Sequence, residues 1–529
     1  MSTPHRDYDF VIVGSGINAL VCAALLGKRG HRVCVLERND RIGGCIRTEE
    51  CTLPGFRHDV FSQWYPLFVL SPGYAELGDD LHRHGLEFAH TERPTASLLP
   101  DDSGFVLQRD RAANVAAMNA LAAGDGDRYA AAMAFVEANA ELTFAVLGEE
   151  LWRWRFAKTV VKALRQQGPR RFARNLAAFA TSARHWLASD FASPEITACL
   201  APWVLHAGLS PDATFSAHMA KVICFSLEAA GTPVVVGGSD RFLAAFESLF
   251  ATLDVDVQIN ADVESLRIEN GSARGVTCSD GRSFNANRAV ICSTTPGQLY
   301  TRLLADQPLP DEFRREVANF RHGLADMQIH LALDSAPRWR NAAMDDVAMV
   351  HVTTGVDGVS QAVNEASRGM LPGHATIVVG QPCVLDPSRA PAGKSLLWLQ
   401  LQELPSVIRG DARGEIAIPE DGRWAEAVRE RYADRIIERL GAHIPNLRDS
   451  ILARRVFSPA DLEAVNMNLV GGDPYGGDCH PDQFALWRPL AGTRNHATPF
   501  KRLYHIGAST HPGPGLGGGS GYAVGALLR

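Results

Sequence analysis

Three stretches of this chain carry residue types whose chemistry is to hold a reactive group rather than to be one. The first is Gly14-Ser15-Gly16-Ile17-Asn18-Ala19, set between the apolar residues Phe10 to Val13 and an apolar run from Leu20 to Leu26. Its order predicts strand, tight turn and helix. Gly14 permits the sharp turn, Gly16 lets the backbone approach a pyrophosphate, and small Ala19 stands where a third glycine usually lets the helix pack on the sheet. A helix opening at Ile17 aims its free N–H groups and positive end at those phosphates. Glu37 closes a second apolar strand, 21 residues beyond Gly16. A carboxylate there accepts both hydroxyls of an adenosine ribose and disfavours a 2′-phosphate.

The second stretch follows at once: Arg38, Asp40, Arg41, then Gly43-Gly44-Cys45 and Arg47. A glycine pair after a ribose-binding glutamate lets the backbone run along the phosphate and ribityl part of an extended FAD, which separates a flavin from a nicotinamide nucleotide. The third stretch is C-terminal. Residues 502–506 are strand-like and lead into Gly507-Ala508-Ser-Thr510-His511-Pro512-Gly513-Pro-Gly515-Leu516-Gly517, with an apolar helix after it. Strand, glycine-rich loop and helix are again the expected order.

Bulk properties narrow the setting. A chain of 529 residues is too long for one core and suits two intertwined domains. Its net charge of −7 gives no electrostatic case for nucleic acid, and no nucleic-acid motif occurs. The polar start, Met1 to Asp7, leads into the first strand and leaves no room for a signal peptide. No apolar run reaches the length of a membrane span. Ten cysteines without regular spacing suit a reducing, cytoplasmic setting. No metal-ligand spacing is evident, and His82 and His84 fall in what reads as a solvated polar turn.

The segment Leu53-Pro54-Gly55-Phe56-Arg57-His58-Asp59-Val60-Phe61-Ser62 adds a motif of its own, and the likeness continues through Leu70-Ser71-Pro72, His84 to Glu87, Asp386 to Gly393, Leu469 to Asp473 and Gly507 to Gly513. In these motifs the chain resembles the phytoene-dehydrogenase-related FAD-dependent oxidoreductases. Within them it is most similar to bacterial relatives of pyridine nucleotide-disulfide oxidoreductase domain-containing protein 2. The resemblance implies a non-covalent FAD and a two-domain fold like that of the monoamine oxidases and phytoene desaturases. It implies flavin redox chemistry on an apolar substrate. The cofactor contacts it implies are Gly14, Gly16, Ile17, Asn18, Ala19, Glu37, Arg38, Gly43, Gly44, Cys45, His58, Asp59, Val263 (by its backbone, to the adenine), Gly507, Ala508, Pro512, Gly515, Leu516 and Gly517. Cys45 departs from the arginine that many members carry, leaving Arg41 or Arg47 to serve a phosphate. Gln63-Trp64-Tyr65 departs from a small residue followed by histidine, so this region could face the substrate.

All three stretches need a scaffold to position them. The expected fold class is α/β: a discontinuous Rossmann-like FAD-binding domain with an α+β substrate or cap domain. The FAD-binding domain takes residues 1–80, 229–305 and 451–529, and the cap takes 81–228 and 306–450. Residues 111–228 read as several helices broken at Gly124-Asp-Gly126, Gly168-Pro169 and Ser193-Pro194. Alternation predicts a small β-meander from Asp254 with turns at Gly271 and Asp280-Gly281, closed by a core strand at Arg288 to Ser293. Strands near Met327, Ala375 and Ser395 suit an antiparallel sheet over one face of the flavin, where Gln328 and His330 could line the cavity. Trp424 to Leu440 is a plain amphipathic helix. Trp152 to Arg174 concentrates basic and aromatic residues. A solvated helix face is its common meaning, and peripheral contact with an anionic membrane the alternative.

The chemistry follows from the cofactor. The protein would place a substrate C–H or N–H bond over flavin N5 in a dry cavity, and a helix N-terminus near the C-terminal loop would stabilise charge building on the reduced ring. His58 and His511 are the candidates for a catalytic role, and holding the ring and loop is the duty favoured for both. Cys45 and Cys51 have five residues between them, one more than the redox pair of the disulfide reductases, and a second nicotinamide fingerprint is missing, so inert thiols are expected. A dehydrogenase, desaturase or oxidase re-oxidised by oxygen or a quinone leads. A redox-neutral isomerase, an amine oxidase and a non-catalytic flavoprotein scaffold stay open.

Overall fold

The computed structural model describes residues 6–529, so the polar start at residues 1–5 lies outside it. Five strands run parallel: Leu503–Ile506, Ser283–Ser293, Arg6–Val13, Val33–Leu36 and Asp256–Gln258, in that spatial order. Register is fixed by pairs such as Val11 with Cys34 and Val11 with Val290. Val33 to Leu36 is buried on both faces, as the continuous apolar run requires. One face packs on the helices Ile17–Gly27 and Asp240–Thr252, through Ile12, Val35, Leu25 and Phe246. The other packs on the meander Val263–Glu269 and Ser272–Cys278 and on Tyr300 and Phe313. Ser283–Ser293 is one long strand that pairs with Arg6–Val13 along its length, with the meander at its start and with Leu503–Ile506 at its end.

A second seven-stranded sheet has the order Ile451–Phe457, Ala325–Leu333, Ser395–Leu404, Ile377–Gly380, Met349–Val352, Thr95–Leu98 and Gly104–Leu107. All neighbours are antiparallel except Met349–Val352 with Thr95–Leu98. Its outer face buries Ile329, Leu399 and Val379 against the helix Glu426–Gly441. Its inner face sets Trp398, Val378 and Met349 against Trp186 and Trp203 of the helical segments that span 111–230.

Two expectations change. Ile451–Phe457, expected in the FAD-binding domain, pairs with Ala325–Leu333 in the second sheet. A strand's own alternation says that it is half-buried, not which sheet takes it. His82 is exposed, as expected, but stands in a helix and not in a loop turn. It sits in the last turn of the helix Pro72–Arg83, with its Nδ1 2.6 Å from the Leu86 carbonyl, while His84 Nδ1 lies 2.8 Å from the Ser248 hydroxyl.

Candidate active site

The carboxyl ends of the parallel strands gather Gly14, Glu37 and Gly507 at one edge of the sheet, where open α/β sheets bind their ligands. Gly14 has φ +89°, and a Cβ there would come within 3.0 Å of the Ser293 carbonyl, so only glycine turns the chain here. Gly16 precedes the helix Ile17–Gly27, whose N-terminus has no side-chain cap and no acidic residue in its first turn. A Cβ on Gly16 would meet no protein atom within 4 Å. Unmet N–H groups beside open space fit a pyrophosphate.

Ser15 organises the neighbouring turn. Its hydroxyl donates to Glu37 Oε2 at 2.5 Å and accepts from the Gly43 N–H at 3.0 Å. Glu37 is buried, and its other oxygen accepts from the Asn39 N–H at 2.9 Å. With the Ser15 N–H also donating to Oε2 at 3.2 Å, the carboxylate is held in one orientation with Oε1 left to accept from a ribose hydroxyl. A Cβ on Gly44 would sit 3.2 Å from the Gly16 Cα, so the two glycine turns stack directly on each other. Arg41 and Arg47 both engage Glu49, Arg41 at 2.6 Å. Arg38 is exposed beside Met467, and the Val263 carbonyl accepts from Arg302 at 2.9 Å.

At the other end of the site the Gly507 N–H donates to the Ser520 hydroxyl at 2.9 Å. The buried Arg488 guanidinium donates to the carbonyls of Ala508 at 2.8 Å and Tyr475 at 2.7 Å, clamping the loop. Gly515 and Gly517 run against Leu67, and Pro512 against Gly519. The helix Gly519–Leu527 begins without a side-chain cap and lies on the first helix, where Asn18 Oδ1 accepts the Gly521 N–H at 3.2 Å. Asn18 thus ties the two helices together, while Ile17 and Ala19 are buried among apolar neighbours and Leu516 packs against the same cluster.

Asp59 is wholly buried, and its carboxylate accepts from Arg389, from the Thr48 hydroxyl at 2.6 Å and from the Ser239 N–H at 2.9 Å. Arg389, also fully buried, donates to the Arg57 carbonyl at 3.1 Å. This pair fastens the His58 segment to the Gly237-Gly238 turn, since Asp386 accepts from the Gly237 N–H at 2.7 Å. Removing one partner of such a pair costs about 3–5 kcal/mol, because the other charge is left without compensation. Arg389 lies in the Asp386 to Gly393 motif and Ser15 between the fingerprint glycines, so both were visible in the sequence without a role. Arg488 carried no local signal.

Between these ends lies an apolar cluster of Val60, Phe61, Phe457, Leu462 and Leu469, with Cys45 and Cys51 against it. The His58 and His330 rings meet edge to face at 5.2 Å, and His330 Nε2 lies 3.3 Å from the Val60 carbonyl. Trp398 donates to the Phe61 carbonyl at 2.8 Å. Burial sets the charge of the titratable groups here. It lowers His58 well below the ordinary imidazole value, assisted by His330 and Arg389, and brings His330 down to about 4 against the Val60 carbonyl. His511 falls to about 3 by burial, with His496 and Arg488 adding to it and the nearby Glu149 backbone opposing. Burial pushes Cys45 up to about 11, against a hydrogen bond from Asn466, and Cys51 up to about 12. Deeper along the inner face, burial raises Asp326 far above the carboxylate range. Near neutral pH the three imidazoles are uncharged, and neither thiol is the thiolate that dithiol exchange requires.

Residues 20–437 match the family described as flavin containing amine oxidoreductase. The chain is 27% identical to mouse pyridine nucleotide-disulfide oxidoreductase domain-containing protein 2, over 97% of this chain and 92% of that protein. It is 25% identical to a limonene dehydrogenase polypeptide of Castellaniella defragrans, over 98% of this chain and 93% of that one. Among solved structures, an oxidoreductase from Methanosarcina mazei shares the fold over 98% of this chain and 100% of its own, with a TM-score of 0.61 at 17% identity.

Proposed function

Given that the chain belongs to the flavin containing amine oxidoreductase family and is an FAD-dependent oxidoreductase, we propose that it takes a hydride from an uncharged, mainly apolar small molecule, polyene or lipid-like. When bound, FAD supplies the hydride acceptor. Glu37 and the Gly14 and Gly16 turn hold the adenosine and pyrophosphate, and the Gly43-Gly44 turn and Gly507 loop carry the grip onward. Val60, Phe61 and Phe457 exclude water. His58, held by Thr52 at 2.8 Å from its Nε2, orients its segment as a neutral ring, and His511 is a second buried neutral ring in the C-terminal loop.

The observation that carries this reading is the cluster of Val60, Phe61, Phe457, Leu462 and Leu469, in which every member is apolar. An amine arrives mostly as an ammonium ion and needs a carboxylate or an electron-rich cage. Here Asp59 is committed to Arg389 and burial favours the neutral form of Asp326. One relative is named for limonene, which carries no charge. The sequence has no second nicotinamide fingerprint, which supports re-oxidation by oxygen or a quinone.

The test is anaerobic mixing of the FAD-loaded protein with two panels, unsaturated hydrocarbons and lipids in one and primary amines in the other. Bleaching of the flavin by members of the first panel alone is expected. Bleaching by amines alone would replace this reading with amine oxidation, and rearranged product without bleaching would replace it with isomerisation.

A further inference from the structure

The helices Trp154–Gln167 and Pro169–Ala180 form a hairpin that uses its surface unlike the rest of the chain. Between them only Ala163 is buried. Residues 151–180 hold eight Lys or Arg and no Asp or Glu, in a chain of net charge −7. An ordinary solvated helix turns its apolar stripe inward and its polar face to water. This hairpin has an inward stripe, with Phe179 against the His218 ring at 4.3 Å and Asn175 donating to Asn139 at 3.1 Å, and it also has an outward apolar one.

Trp154, Ala157, Val161 and Leu164 recur at helical spacing. Trp154 is 72% exposed, and Val161 and Leu164 are exposed as well. On the second helix Ala173, Leu176 and Ala180 are in line, with Leu176 exposed at 49%. A basic stripe one residue out of phase, Arg155, Lys158, Lys162 and Arg165, flanks the first line, and Arg170 and Arg174 flank the second. Lys162 reaches Glu141 at 2.8 Å and Arg155 reaches Glu149 at 3.4 Å. Lys158, Arg165, Arg170, Arg171 and Arg174 make no ion pair among the described residues. An apolar line edged by unpaired cations suits an anionic lipid surface, with the stripe in the headgroup boundary and the cations on the phosphates.

We propose that the hairpin 154–180 docks this protein on an anionic lipid bilayer. A second copy of the chain is the poorer occupant, because it would bring two basic faces together. Elsewhere the chain is more acidic still, which turns this face toward such a membrane. No single helix among the described residues is long and apolar enough to cross one, and the proposed contact lies along the bilayer surface. This proposal does not rest on the flavin chemistry.

Flotation of the FAD-loaded full chain with vesicles tests it. Binding is expected to vesicles of phosphatidylcholine mixed with phosphatidylglycerol and not to phosphatidylcholine alone. Release is expected as salt approaches about 1 M, where charges are screened beyond about 3 Å. The triple variant Arg170→Gln, Arg171→Gln, Arg174→Gln should lower partitioning about 100-fold, and Trp154→Ser about 10-fold. Both alter exposed residues, and unchanged circular dichroism and flavin content check their folding. Equal binding by wild type and variants, or no preference for phosphatidylglycerol, overturns the proposal. So does a concentration-dependent dimer that Trp154→Ser abolishes, which would give the face to a second copy.

Discussion

At Gly16 an added methyl group would meet no protein atom, and a φ of −64° suits any residue. Gly16→Ala should therefore leave the thermal midpoint of the cofactor-free protein unchanged while weakening FAD binding about 10–100-fold, as read by flavin fluorescence titration. Arg389→Gln should do the reverse. It leaves the Asp59 carboxylate buried without its cation, and a loss of about 3–5 kcal/mol in denaturant unfolding is expected, with no direct effect on FAD contacts. Gly14, Gly16 and Glu37 were legible in the sequence because a turn and a strand end are local features. The partner of Asp59 lies 330 positions further along and becomes its neighbour only through the fold. Cys45 and Cys51 were legible as inert thiols from spacing alone, and burial supplies the physical reason.

Among elements, the contact between the helices Ile17–Gly27 and Gly519–Leu527 joins the two ends of the chain. A Cβ on Gly521 would lie 1.8 Å from the Asn18 carbonyl oxygen, so this glycine is required for close approach, not for turning. Gly521→Ala should push the helices apart and cost about 1–3 kcal/mol. Lower thermal stability and lower flavin content together are the expected result, in contrast to Gly16→Ala. The strand, helix and turn order at both ends could be read in advance because apolar period and glycine position are written within a few residues. The membership of Ile451–Phe457 in the second sheet could not, since it depends on pairing with residues 325–333. The outward apolar line of the hairpin 154–180 was only partly legible: composition marked the stretch, and the packing of Phe179 and Asn175 decides which stripe is left outside.

For the molecule as a whole, buried neutral groups dominate the dependence on pH. Burial holds His206, His218 and His511 at about 3 and His330 and His505 at about 4, below their ordinary 6.5. An unfolded chain binds protons below that ordinary value which the native state refuses, so this contribution is complete above pH 6.5 and is lost as pH falls through the native values. Glu403 acts oppositely. Burial raises it to about 8, so its contribution is complete below its ordinary 4.5 and is lost as pH rises through 8, and Asp326 is displaced in the same direction. Because the buried histidines outnumber these buried acids, stability should climb from about pH 4 to 6.5, by up to about 1.4 kcal/mol per group per pH unit, and then decline toward pH 8 at up to the same rate per buried acid. Denaturant midpoints across that range check it. The same neutrality bears on turnover: with His58 and His511 uncharged and the Asp59 carboxylate committed to Arg389, transfer from the substrate should not depend on a protein titration. The decisive measurement is the single-turnover rate of anaerobic flavin reduction by a saturating apolar substrate between about pH 6 and 8. A flat profile is expected, and a bell or a step with a midpoint in that window would show an ionising group of the protein at work in the transfer.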